Sequence, residues 1–155
     1  MHSSLSIEIC KFNARDIDPV ALKERAKEEA DQIFKRNKSK RSYQEILAHC
    51  MLGHAAEINL LKCGYIDNPE KYMDVKEPDG TTVDVKVITK RGPEYVNKAL
   101  KNTIERCILS KLQYNFADKV YIYTFDQRTE DYEMIGIYEW NSSKREFLLC
   151  TNGQE

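Results

Sequence analysis

The stretch Glu77-Pro78-Asp79-Gly80-Thr81 constrains this chain more than any other, because it fixes how two strands must pair. Proline presets the backbone for a type I turn, and glycine accepts the left-handed conformation that closes a three-residue hairpin loop with a bulge. In that register Glu77 faces Thr81, Lys76 pairs with Thr82, Val75 with Val83 and Asp74 with Asp84, while Tyr72 lies opposite Lys86. Side chains alternate between the two faces of a strand. One face of the hairpin therefore carries Asp74, Lys76, Asp84 and Lys86, and the other Met73, Val75, Val83, Val85 and Val87. A tighter Asp79-Gly80 loop would instead set Asp74 against Val85.

Two carboxylates directly opposite each other, with Cβ atoms roughly 4.5–5.5 Å apart, destabilise a sheet unless something positive sits between them. A divalent cation answers that need, since magnesium is held through one or two carboxylates plus phosphate oxygens and water. The alternative is that Asp74 and Asp84 pair with Lys76 and Lys86 on a solvated face.

Around the hairpin, helix and strand signals alternate. "LSIEICKF" alternates apolar and polar residues and predicts a short strand. "DIDPVALKERAKEEADQIFKR" predicts a helix capped by Asp18 with Pro19 at its first position. Ser42 and Glu45 form a capping box and Gly64 suits the position after a helix, so a second helix is expected from about Tyr43 to Cys63. A third opens at Gly92-Pro93 and carries Val96, Leu100, Ile104, Cys107 and Ile108 on one face. "KVYIYTFD", "YEMIGIYEWN" and "REFLLCT" then predict three strands. The order describes an α/β chain with a sheet covered by helices.

The second helix holds an ion where none is expected. Ile46, Cys50, Leu60 and Leu61 share one side of it at about 100° per residue, and Glu57 falls inside that apolar stripe, with Gly53 leaving space one turn earlier. Burying an unpaired carboxylate is costly. Glu57 should be protonated, bonded to a basic group, aimed at a cation site, or reaching out to solvent from the stripe edge.

The pattern "LGHAAEINLLKCGYI", then Asp74, then "VDVKV", resembles the PD-(D/E)xK nuclease superfamily: a helix with an inward Glu, a strand with Asp, and a strand with Asp/Glu-x-Lys. The resemblance spans about Leu47 to Lys90 and takes Asp74 as the motif aspartate, with Asp79 competing. "YIDNPEKY" is a poor match to the further strand that the family places between helix and hairpin. The resemblance implies a restriction-endonuclease-like αβββαβ core over about residues 43–126, a mixed sheet flanked by helices, with an extra N-terminal strand and helix. It implies phosphodiester hydrolysis with Mg²⁺ or Mn²⁺, the metal held by Asp74, Asp84 and the carbonyl of Val85, with Glu57 completing the site. Lys86 would position the attacking water or stabilise charge on the phosphate. His54, one turn from Glu57, is either an extra ligand or an ordinary helix residue. DNA is the expected substrate; cleavage of both strands would favour a homodimer. The rival expectation is a catalytically silent module that keeps such a scaffold to grip nucleic acid or protein.

Composition supplies the remaining bounds. At 155 residues, 41% hydrophobic and 32% charged, the chain fits a single domain over 1–155. A formal net charge of −1 gives no overall attraction to nucleic acid, so phosphate contacts must come from local basic groups. Lys35, Arg36, Lys38, Lys40 and Arg41 are candidates or a solvated linker, and Lys90 and Arg91 lie nearer the motif strand. Tyr121, Tyr123, Tyr132, Tyr138 and Trp140 could stack on bases or pack in the core. Five scattered cysteines without a C-x-x-C pair suit neither a zinc site nor a disulfide framework and predict a reducing, cytoplasmic setting.

Overall fold

The structure, a computed structural model, describes residues 6–36, 41–68 and 74–151. The chain starts with one helical turn, α1 (Ile7–Cys10), followed by strand β1 (Lys11–Asn13). The expected early strand is thus shorter and later than its alternating pattern suggested. Burial explains the change: Ile9 and Phe12, three residues apart, are buried while Ile7 is 81% exposed, and the Ser6 carbonyl accepts from the N–H groups of Ile9 and Cys10. Tyr123 Oη then donates to the Ile9 carbonyl at 2.9 Å and ties the turn to the sheet.

Helix α2 (Pro19–Arg36) begins where Asp18 accepts from the Val20 N–H at 3.1 Å. Helix α3 (Tyr43–Lys62) is capped by Ser42, whose side chain accepts from the Glu45 N–H. It ends with Gly64 at φ +98°, while the N–H groups of Gly64 and Tyr65 close on the carbonyls of Leu61 and Leu60. Small side chains let these helices pack closely: Ala26 and Ala30 of α2 meet Ile46, Leu47 and Cys50 of α3.

Four strands follow the order β2 (Ile66–Asp67), β3 (Val75–Lys76), β4 (Thr82–Thr89) and, after helix α4 (Pro93–Gln113), β5 (Lys119–Phe125). Strands β2, β3 and β4 pair antiparallel, and β4 runs parallel to β5 because α4 carries the chain back across the sheet. Strand β6 (Asp131–Asn141) pairs with β5, and its other edge is shared end to end by β1 and β7 (Glu146–Thr151). The result is a mixed sheet in the order β1-β6-β5-β4-β3-β2 with helices on both faces. Ala55, Ala56 and Leu60 of α3 cover Val75, Val83, Val85, Tyr121 and Tyr123 on one face. On the other, Cys107 of α4 packs with Ile88, Val120, Ile122 and Phe147. Among the described residues, no helix is long and apolar enough to cross a membrane.

Candidate functional site

The hairpin has the three-residue loop. Gly80 adopts φ +94°, the Glu77 N–H donates to the Thr81 carbonyl at 2.8 Å, and the ladder pairs Lys76 with Thr82 and Val75 with Val83. The ladder stops there. Asp74 does not continue it opposite Asp84: its N–H donates to the Val83 carbonyl at 2.9 Å and its carboxylate accepts from the Val85 N–H at 2.7 Å. The Asp74 side chain therefore replaces a strand at the edge of β4. Tyr72 and Met73 lie outside the described residues.

Strand alternation then sends Val83 and Val85 toward α3 and Asp84 and Lys86 toward α4. The charged face expected from the sequence is not a solvated one. Asp84 is 5% exposed, and its Oδ2 has no hydrogen-bond donor of good geometry, although the Lys86 ammonium stands 3.2 Å away as an ion pair. Burial, the nearby Asp84 and then Glu57 hold the Asp74 carboxyl well above the usual carboxylate range. Burial also raises Asp84, against the opposing pull of Lys86. Lys86 is in turn held more firmly charged, first by Asp84. Its side chain remains 42% exposed, so the ammonium links a buried acid pair to solvent.

Glu57 is buried as its place in the stripe required, and it has a basic partner. Arg25 of α2 donates from Nη2 to Glu57 Oε1 at 2.9 Å and grips Asp67 of β2 through Nη1 and Nη2 at 3.2 and 3.0 Å. Arg25 Nε points at His54 Nδ1, 3.1 Å away, while His54 Nε2 contacts Glu29 Oε1 at 2.8 Å. Burial disfavours a charged His54, but Glu29 and Glu57 outweigh it and raise the pKa to about 9. A charged ring would forfeit the Arg25 bond, because Nδ1 would then carry a proton facing the guanidinium N–H. His54 thus belongs to a polar network joining α2, α3 and β2.

Other candidates separate from these acids. Asp79 sits in the turn, where its carboxylate accepts from the Thr81 N–H at 2.9 Å. Lys35 and Arg36 end α2 and Arg41 precedes α3; from Tyr43 to Glu57 the helix rises about 20 Å, so this basic run lies far from the acids. Lys38 and Lys40 lie outside the described residues. Lys90 and Arg91 are exposed just past β4, with the Arg91 guanidinium 5.3 Å from the Tyr95 ring centre. Tyr121, Tyr123 and Tyr132 are buried in the core and cannot stack on bases, while Trp140 lies 5.1 Å from Phe147.

No family model, curated protein or solved structure matches the chain. The site therefore stands on its own geometry. Among the described residues, no group of three or more His, Cys, Asp or Glu side chains converges in an arrangement that could hold a metal. What converges is a pair, Asp74 and Asp84, with the backbone of Val85 between them and Lys86 beside them.

Two groups were missed by sequence reasoning. Arg25 lies one turn after the buried Leu22 and next to the buried Ala26, so a basic residue beside the apolar stripe of α2 was the available signal. Glu77 accepts from Lys119 Nζ at 2.9 Å and from Tyr121 Oη, which also contacts Tyr65 Oη at 2.7 Å. That cluster fastens the base of the hairpin to β5.

Proposed function

We propose that the chain is a divalent-metal-dependent nuclease that hydrolyses phosphodiester bonds, with DNA as its substrate. The observation that carries this reading is the buried Asp84 Oδ2, which lies beside a second carboxyl with no hydrogen bond of good geometry and with the Lys86 ammonium, 3.2 Å away, as its ion-pair partner. Burying a pair of acids is unfavourable until a cation joins them, and chains retain such a cost where it serves chemistry. The element order helix, three strands, helix, strand from α3 to β5 supports a restriction-endonuclease-like core, as does the placement of Glu57 on α3, Asp74 just before β3, and Asp84 and Lys86 together on β4.

Asp74, Asp84 and the Val85 carbonyl would hold Mg²⁺ or Mn²⁺, a donor set of hard oxygens that suits these ions. When bound, the ion supplies Lewis acidity and lowers the pKa of a water. Lys86, fixed by Asp84 and open to solvent, donates to a phosphate oxygen as negative charge grows there. Lys90 and Arg91, exposed at the end of the same strand, offer contacts to the phosphate backbone.

One observation favours the rival reading, a silent scaffold that only binds: the described residues present no group of three metal donors, and Arg25 already occupies Glu57. Plasmid DNA incubated with Mg²⁺ separates the two. The nuclease reading expects cleavage abolished by EDTA and reduced about 10²–10³-fold in Asp84→Asn and Lys86→Met, the scale of losing one stabilising donor. Cleavage that survives either substitution would exclude the assignment, whereas a DNA mobility shift indifferent to EDTA and to Lys86→Met, with no cleavage, supports the scaffold.

A further inference from the structure

We propose that the carboxyl end of β4 and the first turns of α4 form a binding surface for single-stranded DNA, with Tyr95 stacking on an unpaired base and Lys90, Arg91 and Lys98 meeting its phosphates. The proposal takes DNA as the partner from the nuclease reading above and concerns which form of DNA the protein holds.

Although the chain's net charge is −1, its charges are uneven along the parallel pair β4 and β5. At the amino ends the cations are already matched: Lys119 Nζ stands 2.9 Å from Glu77, and Lys111 Nζ 2.8 Å from Asp118. At the carboxyl end, Lys90, Arg91 and Lys98 are exposed and form no ion pair among the described residues, and Glu94 is the one acid between them. The Lys90 N–H donates to the Phe125 carbonyl at 2.8 Å and so sets this segment against the β5–β6 turn. There Arg128, 93% exposed and 3.9 Å from Asp126, adds a further cation. The carboxyl ends of strands are also where open α/β sheets present their ligand crevices. Phosphates are the partner that such a cluster fits, irrespective of base sequence.

An aromatic ring decides between duplex and single strand. Tyr95 is 43% exposed at the start of α4, and the Arg91 guanidinium lies 5.3 Å from its ring centre, a cation–π distance. Lys98, three residues on, is its neighbour along the helix surface. A ring held at the surface among cations is a stacking platform, and duplex bases are already stacked on one another, so the partner it fits is an unpaired base. Tyr121, Tyr123 and Tyr132 of the sheet are buried and offer no such face. From Lys86 to Lys90 the strand rises about 13 Å, roughly the length of four stacked nucleotides, so DNA seated on Tyr95 spans to the acid pair within a few nucleotides.

Fluorescence anisotropy of a labelled oligonucleotide, single-stranded or annealed to its complement, reads this surface in EDTA, where no metal-dependent cleavage occurs. Wild type should bind the single strand more tightly than the blunt duplex. Tyr95→Ala should weaken single-strand binding about 5–150-fold, the range for one lost base stack, and leave duplex binding unchanged. Tyr95→Phe keeps the ring and should stay within about twofold of wild type. Lys90→Ala should weaken both forms alike and lower the salt dependence by about one phosphate contact. Duplex bound as tightly as the single strand, or unchanged single-strand affinity in a Tyr95→Ala protein with the wild-type circular-dichroism spectrum, overturns the proposal. So does a Tyr95→Phe protein that loses as much as Tyr95→Ala, which would assign the effect to the hydroxyl. If Tyr95→Ala does not fold, Tyr95→Leu, which keeps apolar bulk without a π face, takes its place with the same expectation. The two readings fail separately: loss of the single-strand preference leaves a nuclease for duplex DNA, whereas single-strand binding without any cleavage removes the nuclease and keeps this surface.

Discussion

At the scale of single residues, the same type of side chain carries opposite energetics in neighbouring places. Glu29 has a partner, and its hydrogen bond with His54 holds its carboxyl below the usual range against a burial effect that would raise it. A depressed folded-state pKa contributes stability above the unfolded value and loses it as pH falls through the folded one. Glu29→Gln should therefore lower stability at pH 7, by about 0.5 kcal/mol once its exposure to solvent is allowed for, and by nothing measurable near pH 3. Urea melts at the two pH values check this; an equal cost at both would assign the effect to packing. Asp74 is the contrary case, a carboxyl beside Asp84 and Glu57 whose charged form is disfavoured by burial. Asp74→Asn keeps an oxygen to accept the Val85 N–H and removes the cost of burying an acid beside Asp84. The metal-free protein should gain roughly 0.5–2 kcal/mol while losing cleavage, the trade expected where function preserves an unfavourable contact. Thermal melts in EDTA measure it, and destabilisation of similar size would mean that the acid pair serves the fold.

At the scale of elements, what could be read in advance is what local chemistry determines. Pro78, Asp79 and Gly80 impose their turn whatever surrounds them, so the pairing of Val75 with Val83 and the placement of Asp84 and Lys86 together on the face opposite Val83 were legible. Ser42 with Glu45, and Gly64, likewise mark the ends of α3 by backbone hydrogen bonds that lie within the segment. The N-terminal turn was not legible, because an alternating "SIEICKF" fits a strand as well as it fits a turn that buries Ile9 and Phe12, and the sheet edge decides between them. Arg25 was hidden for the same reason at larger range: its role exists only once α2 packs on α3, and no local pattern states that contact. Asp74 was half legible, its proximity to Asp84 following from the turn but its side-chain bond to Val85 depending on where the ladder ends. Gly53 allows a test of the element that carries Glu57. A Cβ built there meets nothing nearer than Glu57 Oε2 at 4.0 Å, an ordinary contact, so Gly53→Ala should stabilise α3 by about 0.5–1 kcal/mol without disturbing the site. A fall in melting temperature would show that the space beside the carboxylate is required.

At the scale of the whole molecule, the sheet sets Asp74 and Asp84 at one edge of β4 and keeps Glu57 on the α3 face. Glu57 arrives on α3 over one face and Asp84 points toward α4 on the other, while Asp74 occupies the edge of β4 between them. Since α3, the hairpin and α4 all meet at that edge, an ion bound there would join elements distant in sequence and stabilise the folded chain alone. Binding only the native state adds RT ln(1 + [L]/Kd), about 2.7 kcal/mol at a metal concentration one hundred times Kd. For a domain of this size that corresponds to roughly 5–10 °C in melting temperature. Wild type should show that rise with Mn²⁺ relative to EDTA, reversed on chelation, and Asp84→Asn should lose most of it. Calcium offers the sharper comparison, because it accepts more ligands at longer distances and needs a roomier cage than two carboxylates and a carbonyl provide. Differential scanning calorimetry should thus show a smaller shift with Ca²⁺ than with Mn²⁺ at equal concentration; equal shifts in wild type and Asp84→Asn would instead place the ion on exposed acids away from this edge.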